Sequence, residues 1–416
     1  MQLPFAKVGM IGLGYIGLPT AAMLANRGVE VIGVDINERS VQLINEGKVP
    51  IVEPDLDIAV RAAVTMGKLR AVTKPEPAEA FVIAVPTPFA EGHTPDLRFI
   101  ESAARALAPV LEKGNLVVLE STSPVGTTDK FCAWLAQLRP DLTFPNEVGE
   151  NADIQVAYCP ERVLPGRVLL ELVANDRIIG GMTPLCAQRA QDLYQIFVQG
   201  TLHLTDARSA EMVKLTENAF RDVNIAFANE LSLLCERFEL DVWEVIDLAN
   251  RHPRVNILKP GPGVGGHCIS VDPWFIVDSA PDLANLIRTA REVNDGKPEH
   301  VLAKVRSIAQ RFKEPVIACL GLSFKPDIDD LRESPALHIA ERLADAQLGQ
   351  LAVVEPHISE LPPSLRGRNQ VRLTDVNGAI KPADIVLLLV DHKQFRRVDR
   401  QSLREKVVID TRGIWR

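Results

Sequence analysis

The sequence predicts an α/β protein with two doubly wound domains, joined by a long helix and a helical central domain. Three observations predict this. An apolar run at 6–11 enters a glycine-rich turn, and a second run at 29–34 ends on an acid. Residues 207–240 hold no Gly or Pro and repeat apolar residues at helical spacing. Beyond residue 315, short apolar runs again alternate with helical segments. The expected domains are 1–204, 205–296 and 297–416.

At 416 residues the chain is too long for one core. Its 46% hydrophobic and 24% charged residues are ordinary for a globular protein. A formal charge of -8 argues against a nucleic-acid or membrane-surface binder, which would be basic. The six cysteines are scattered without a CxxC pair, so neither a metal site nor a disulfide framework is expected. The N-terminus runs straight into a strand without a leader pattern, and runs such as 385–390 are too short to span a bilayer. A reducing cytoplasm is the expected location.

The first domain opens with the strand at 6–11 and Gly12-Leu13-Gly14-Tyr15-Ile16-Gly17. A helix through Ala21, Ala22 and Leu24 follows, then the strand at 29–34 and Asp35. Glycines at this spacing, with an acid about 20 residues on, suit a dinucleotide. Gly12 makes the turn, Gly14 admits the pyrophosphate and Gly17 packs helix on strand. The helix N-terminus faces the phosphates. Asp35 would accept both ribose hydroxyls and repel a 2′-phosphate, so NAD is the expected cofactor. The domain is therefore Rossmann-like.

Strands at 80–85, 116–120 and 155–158 end in polar loops, where open α/β sheets bind ligands. Thr87, Thr122, Thr128 and Glu161 are candidates there, although turn-formers or helix caps would look the same. Two closing strands are expected at 176–181 and 201–204.

On the long helix, Lys214, Asn218 and Arg221 share one stripe suited to an anion or a polarised oxygen. A solvated face would show the same residues. Ala219, Phe220, Val223, Phe227 and Leu231 point to burial of much of this helix. A second helix at 241–250 and a basic loop at 251–256 lead to Gly261, Pro262, Gly263, Gly265, Gly266 and Cys268. The glycines would let backbone approach a ligand closely, and Asp272 follows one turn after the cysteine. Two readings stand: a nucleophilic thiol on a tight loop, or an inert buried one. The last domain has strands at 315–320, 350–355, 383–390 and 406–409, and Ser334-Pro335 opens a helix. It lacks GxGxxG. Phe324 and Lys325 are candidates for a second nucleotide, and Arg332 lies among acids that would pair with it.

Five blocks carry a resemblance: GLGYIGLPTA at 12–21, ESTSPVGTT at 120–128, EMVKLTENAFRDVNIAFANE at 211–230, GVGGHC at 263–268 and GLSFKPDIDDLRESPA at 321–336. Together they resemble the UDP-glucose/GDP-mannose dehydrogenase family along essentially the whole chain. CPERVLPGR at 159–167 and the segment 251–275 are most similar to its UDP-N-acetyl-D-mannosamine dehydrogenase branch. UDP-glucose members usually carry Ser where His267 stands and a Pro-Lys pair where Ser270-Val271 stand, while UDP-N-acetylglucosamine dehydrogenases are the nearest rival.

The resemblance implies oxidation of a UDP-sugar C6 alcohol to a carboxylate by two NAD. Carried over by position, it makes Cys268 the nucleophile and Lys214 the catalytic lysine, assisted by Asn218 and Asp272. The expected intermediates are a thiohemiacetal and a thioester on Cys268, with Thr122 and Glu161 as further catalytic candidates. Tyr15, Ile16, Asp35, Thr87 and Thr128 match cofactor positions, joined by Arg332 from the last domain. Arg162, Val163, Arg221, Gly265, Phe324 and Lys325 match sugar-nucleotide contacts, as do Lys214 and Asn218. His252 and Arg254 match a loop that enters a neighbouring subunit's site, which implies a homodimer or higher homo-oligomer.

Overall fold

The computed structural model describes residues 3–51, 53–266 and 268–416, so the expectation placed on His267 lies outside the described residues. The chain divides into two compact units, 1–217 and 218–416. The expected boundary after 204 falls inside a strand, Leu202–Asp206, and that after 296 inside a helix, Asn285–Ala309.

The first unit holds an eight-stranded sheet. Its strands are β1 (Lys7–Ile11), β2 (Glu30–Val34), β3 (Leu69–Val72), β4 (Ala80–Ile83), β5 (Leu116–Leu119), β6 (Gln155–Tyr158), β7 (Arg177–Gly181) and β8 (Leu202–Asp206). Their spatial order is β3-β2-β1-β4-β5-β6-β7-β8. From β3 to β6 every pairing is parallel, whereas β7 runs antiparallel to β6 and parallel to β8. Strands β4, β5 and β6 are buried at every residue, as a sheet covered on both faces requires. One face packs Val8, Val31, Val82 and Val118 under the helix Gly17–Asn26, and the other packs Ile11, Ile32, Phe81 and Val117.

The second unit holds a five-stranded parallel sheet of order β11-β10-β9-β12-β13. The strands are β9 (Val316–Leu320), β10 (Gln350–Val354), β11 (Val371–Leu373), β12 (Ile385–Leu388) and β13 (Val407–Asp410). Ser334 caps the helix Pro335–Ala346 by accepting from the Leu337 N–H. Among its other helices are Val242–Ala249, Asp272–Ser279 and Asn285–Ala309.

The long helix is Ala207–Arg237, and the division of the chain falls within it. Its inward face in the second unit sets Asp222 and Asn229 among Ala219, Ala226, Ala228 and Cys235. Asp222 accepts from Arg291 at 2.6 Å and Asn294 at 2.8 Å, and Asn229 donates to Asn294 at 2.8 Å. The expected burial of Phe220 and Phe227 is corrected: these side chains are 68% and 57% exposed. Helical period alone tells which residues share a face, and not what covers that face.

Candidate functional site

In the first unit the dinucleotide loop has the geometry its glycines require. Gly12 has φ +93°, and a Cβ there would stand 2.4 Å from the Ala84 carbonyl oxygen. A Cβ on Gly17 would stand 1.8 Å from the Gly12 oxygen, so this glycine sets how closely helix meets strand. Gly14 is exposed with nothing within 4 Å of its Cβ position, which leaves room for a pyrophosphate. The helix Gly17–Asn26 has no side-chain cap at Ile16 and no acid in its first turn, so its leading N–H groups suit an anion. Asp35 accepts from the N–H of Leu13 at 3.0 Å and of Asn37 at 2.9 Å, which fixes a half-buried carboxylate at the loop. Tyr15 is exposed on the same turn. These residues fit NAD. Sequence reasoning passed over Ile36, which is 90% exposed directly after Asp35. An apolar residue straight after the strand-end acid was the available signal.

The next two loops are tied together. Thr87 donates to the Thr122 carbonyl at 2.6 Å, and Ser121 donates to the Val85 carbonyl at 2.7 Å. Thr128 is fully buried, and its hydroxyl and N–H both donate to Glu211, at 2.6 and 2.7 Å. Glu211 also accepts from the Gly126 N–H at 2.6 Å, so it caps the helix Thr127–Leu138. The Thr128 hydroxyl therefore donates inside the protein.

Glu161 and Lys214 come together. The Lys214 ammonium, nearly buried, donates to the Glu161 backbone carbonyl at 2.6 Å. The Glu161 carboxylate accepts from the Arg162 N–H at 2.6 Å and from Arg177 at 3.0 Å. Arg162 spends its guanidinium on Glu217, at 2.6 Å, and on the Asp176 carbonyl, at 3.1 Å. Val163 packs against the core of the first unit. Glu53, which sequence reasoning did not single out, holds the following turn through the N–H groups of Gly166 and Val168 at 2.9 and 2.8 Å.

In the second unit, Asn218 donates to the Asp272 carboxylate at 2.5 Å. Asp272 is buried at the first position of the helix Asp272–Ser279. The Cys268 carbonyl accepts from the N–H groups of Val271 and Asp272, at 3.1 and 2.8 Å, so the cysteine sits on a tight turn entering that helix. Cys268 is exposed, and the other five cysteines are buried. Burial pushes the thiols of Cys132, Cys159 and Cys319 up to about 12, which leaves them inert. Cys268 thus lacks the burial that the inert-thiol reading assumed. Arg221 is exposed, as is the whole of 251–256 with His252 and Arg254.

The glycines before Cys268 lie close against their own chain. A Cβ on Gly265 would stand 2.4 Å from the Glu333 carbonyl oxygen and 2.6 Å from Pro335, and one on Gly266 would meet the Phe324 ring at 2.9 Å. A side chain at either position would meet the protein's own 324–335 segment. Phe324 lines a small cavity with Gly263, Ser323, Pro335 and Arg412. Lys325 is half-buried beside it in sequence, and its carbonyl accepts from Ser323 at 2.8 Å. Arg332 pairs with Asp330 at 2.7 Å. Sequence reasoning missed Arg412, which pairs with Asp391 at 2.9 Å. Its signal was its place just after β13, at the carboxyl end of a parallel sheet.

Asp327, His357 and His392 lie close enough to suggest a metal. His392, however, accepts from the Asp327 N–H at Nδ1, 2.9 Å, and meets Glu355 at Nε2, 3.1 Å. Both ring nitrogens are engaged, so the trio does not offer a ligand set.

Comparison with known proteins bears on all of the chain's length. The UDP-glucose/GDP-mannose dehydrogenase family matches through its NAD binding domain at 6–198, its central domain at 208–296 and its UDP binding domain at 318–416. A Ralstonia nicotianae protein named NDP-N-acetyl-D-galactosaminuronic acid dehydrogenase is 64% identical, covering 100% of this chain and 97% of the relative. The UDP-N-acetyl-D-mannosamine dehydrogenase of Yersinia pestis is 58% identical, covering 100% of both. The solved structure of a UDP-D-ManNAc dehydrogenase from Pyrococcus horikoshii is 39% identical with a TM-score of 0.87, over 98% of this chain and 96% of that one.

Proposed function

The chain belongs to the UDP-glucose/GDP-mannose dehydrogenase family of NAD-dependent nucleotide-sugar dehydrogenases, and from that premise we propose that it oxidises the C6 alcohol of UDP-N-acetyl-D-mannosamine to the uronate. The observation that carries this reading is the exposed thiol of Cys268, on a turn leading into Asp272, in a chain whose other cysteines are buried. Full-length relatives named for N-acetylated sugars support the substrate class.

The Gly12–Gly17 turn and Asp35 would hold NAD, which would supply the hydride acceptor for both oxidations. Lys214 and Asn218 hold the C6 oxygen while charge develops on it. An aldehyde carries no hydroxyl from which a second hydride can leave. The Cys268 sulfur adds to the aldehyde carbon, and the resulting thiohemiacetal does carry one. Its oxidation leaves a thioester. Water aided by Glu161 or Asp272 displaces the sulfur, so the acid leaves and the thiol is restored. Covalent capture also retains the reactive aldehyde.

A second substrate reading is favoured by the 64% identical relative, named for a galactosaminuronic acid. The test is a panel of UDP-ManNAc, UDP-GalNAc, UDP-GlcNAc and UDP-glucose, with NADH counted per sugar consumed. UDP-ManNAc should give the highest kcat/KM and two NADH per sugar. Preference for UDP-GalNAc establishes the second reading, and preference for UDP-glucose overturns both.

The assembly is read as a homodimer across the long helix. Phe220, Phe227 and Leu234 recur every seven residues along it and are all exposed. A second copy of this face would cover them, and Arg254 and His252 on their exposed loop would reach the neighbour's UDP-sugar. Phe220→Asp with Phe227→Asp should give a monomer by light scattering, and an unchanged mass would refute the interface.

A further inference from the structure

Strand β7 meets β6 in the reverse direction, with Ala157 opposite Gly181 and Tyr158 opposite Gly180. Continued past the paired residues, that register sets Arg177 opposite Glu161. A parallel strand would bring its last residue to this edge, where β6 ends. The reversed strand brings its first.

Arg177 is buried. One Nη meets Glu161 at 3.0 Å and the other meets Glu120 at 3.4 Å. Tyr194 donates its hydroxyl to the same Glu120 oxygen at 2.7 Å, and its ring lies 4.8 Å from the guanidinium carbon. The second Glu120 oxygen is buried without a hydrogen-bond partner among the described residues. Burial pushes the Glu120 carboxyl up to about 7. Asn175 donates to the Arg162 carbonyl at 3.0 Å, and Arg162 donates to the Asp176 carbonyl at 3.1 Å. Residues 175–177 thus grip the 161–162 turn at three points.

Such a cluster is a poor way to add stability, because apolar residues of the same volume would serve as well. What apolar residues cannot do is set the direction of a carboxylate. We propose that Arg177, backed by Glu120 and Tyr194, is a positioning residue: it aims the Glu161 carboxylate while the Glu161 carbonyl holds Lys214. The proposal rests on the reading of Glu161 as a participant in the reaction.

The test is a cycle of Arg177→Lys, Glu161→Gln and the double variant, reading kcat and the KM values for NAD and UDP-sugar. Lysine keeps the charge and loses the fork. Arg177→Lys should lower kcat by roughly 10- to 100-fold, as a misplaced reacting group does. The KM for NAD should stay within about two-fold, since uniform binding is untouched. In the Glu161→Gln background the same change should cost nothing further, because both act through one group. Tyr194→Phe, which removes one hydroxyl, runs the same cycle with a loss of about three- to ten-fold if Arg177→Lys does not fold. An equal fall in both backgrounds marks a merely structural role and overturns the proposal. Wild-type kcat in Arg177→Lys beside an impaired Glu161→Gln overturns the positioning alone. Wild-type kcat in Glu161→Gln itself overturns both, and shows that the failure began with Glu161.

Discussion

The two sheets open with the same device and put it to different uses. In the first unit Gly12, at φ +93°, donates its N–H to the Val34 carbonyl at 2.8 Å, and Leu13 donates to Asp35 at 3.0 Å. In the second unit Gly321, at φ +95°, donates to the Val354 carbonyl at 2.8 Å, and Leu322 donates to Glu355 at 2.7 Å. Each glycine is held by the loop after the strand that neighbours its own on the other side, Ala84 after β4 in one case and Val390 after β12 in the other. The acids then diverge. Asp35 is half-buried at an open glycine loop. Glu355 is buried, and it also accepts from the Ser323 N–H at 3.0 Å and meets His392 at 3.1 Å. One frame leaves its carboxylate accessible, and the other spends it on its own loop and a histidine. An acid at the end of a second strand is therefore a ligand group only where the protein leaves it accessible.

The comparison breaks most visibly at the glycines. Gly12→Ala puts a methyl group against a backbone carbonyl at a positive φ, and it should weaken NAD binding by about 100-fold or more while costing ~1–3 kcal/mol of stability. Gly321→Ala, also at a positive φ, puts its methyl group against the Val390 side chain and should cost similar stability with NAD affinity unchanged. Calorimetric titration with NAD separates the two, and loss of NAD binding in Gly321→Ala would end the distinction.

The acids come next. Asp35→Ala should weaken NAD by ~10- to 100-fold, the worth of hydrogen bonds to a charged group, with UDP-sugar affinity unchanged. Glu355→Gln leaves His392 without its charged partner and should cost ~2–4 kcal/mol in denaturant unfolding with no effect on NAD. Equal weakening of NAD and UDP-sugar by Asp35→Ala would undo the assignment of the first unit.

The smallest effect is in pH. Burial works against the Glu355 charge, yet His392 and the N–H groups of Leu322 and Ser323 outweigh it and hold the carboxyl below its ordinary value. A folded-state pKa lowered in this way gives stability that is present above the unfolded value and lost as pH falls through the folded one. The unfolding midpoint should therefore drop as pH falls below about 4.5, and Glu355→Gln should flatten that slope. An unchanged slope would show that Glu355 is not the group responsible.

Much of this frame is legible in the residues, for physical reasons. Strands β1, β2, β4, β5 and β6 read as apolar runs because both faces of a parallel sheet are covered. Gly12, Gly14, Gly17 and Asp35 carry their geometry in their spacing. Edge strands β3 and β11 were not legible, because an exposed arginine, Arg70 or Arg372, interrupts each apolar run. The helix Asn285–Ala309 was missed because its buried face carries Arg291, Asn294, Lys297 and Pro298, which breaks the apolar period. The reversal of β7 has no local signature, so nothing in the expected strand at 176–181 singled out Arg177. Gly265 and Gly266 announce close approach without saying to what, and the occupant is Phe324 and its neighbours.

The central claim is that the Cys268 sulfur carries the sugar through the second oxidation. Cys268→Ala, supplied with UDP-ManNAc and excess NAD, tests it by direct assay of uronate. The account predicts no uronate above background, with NAD affinity at the wild-type value. Uronate formed at a near wild-type rate would contradict it.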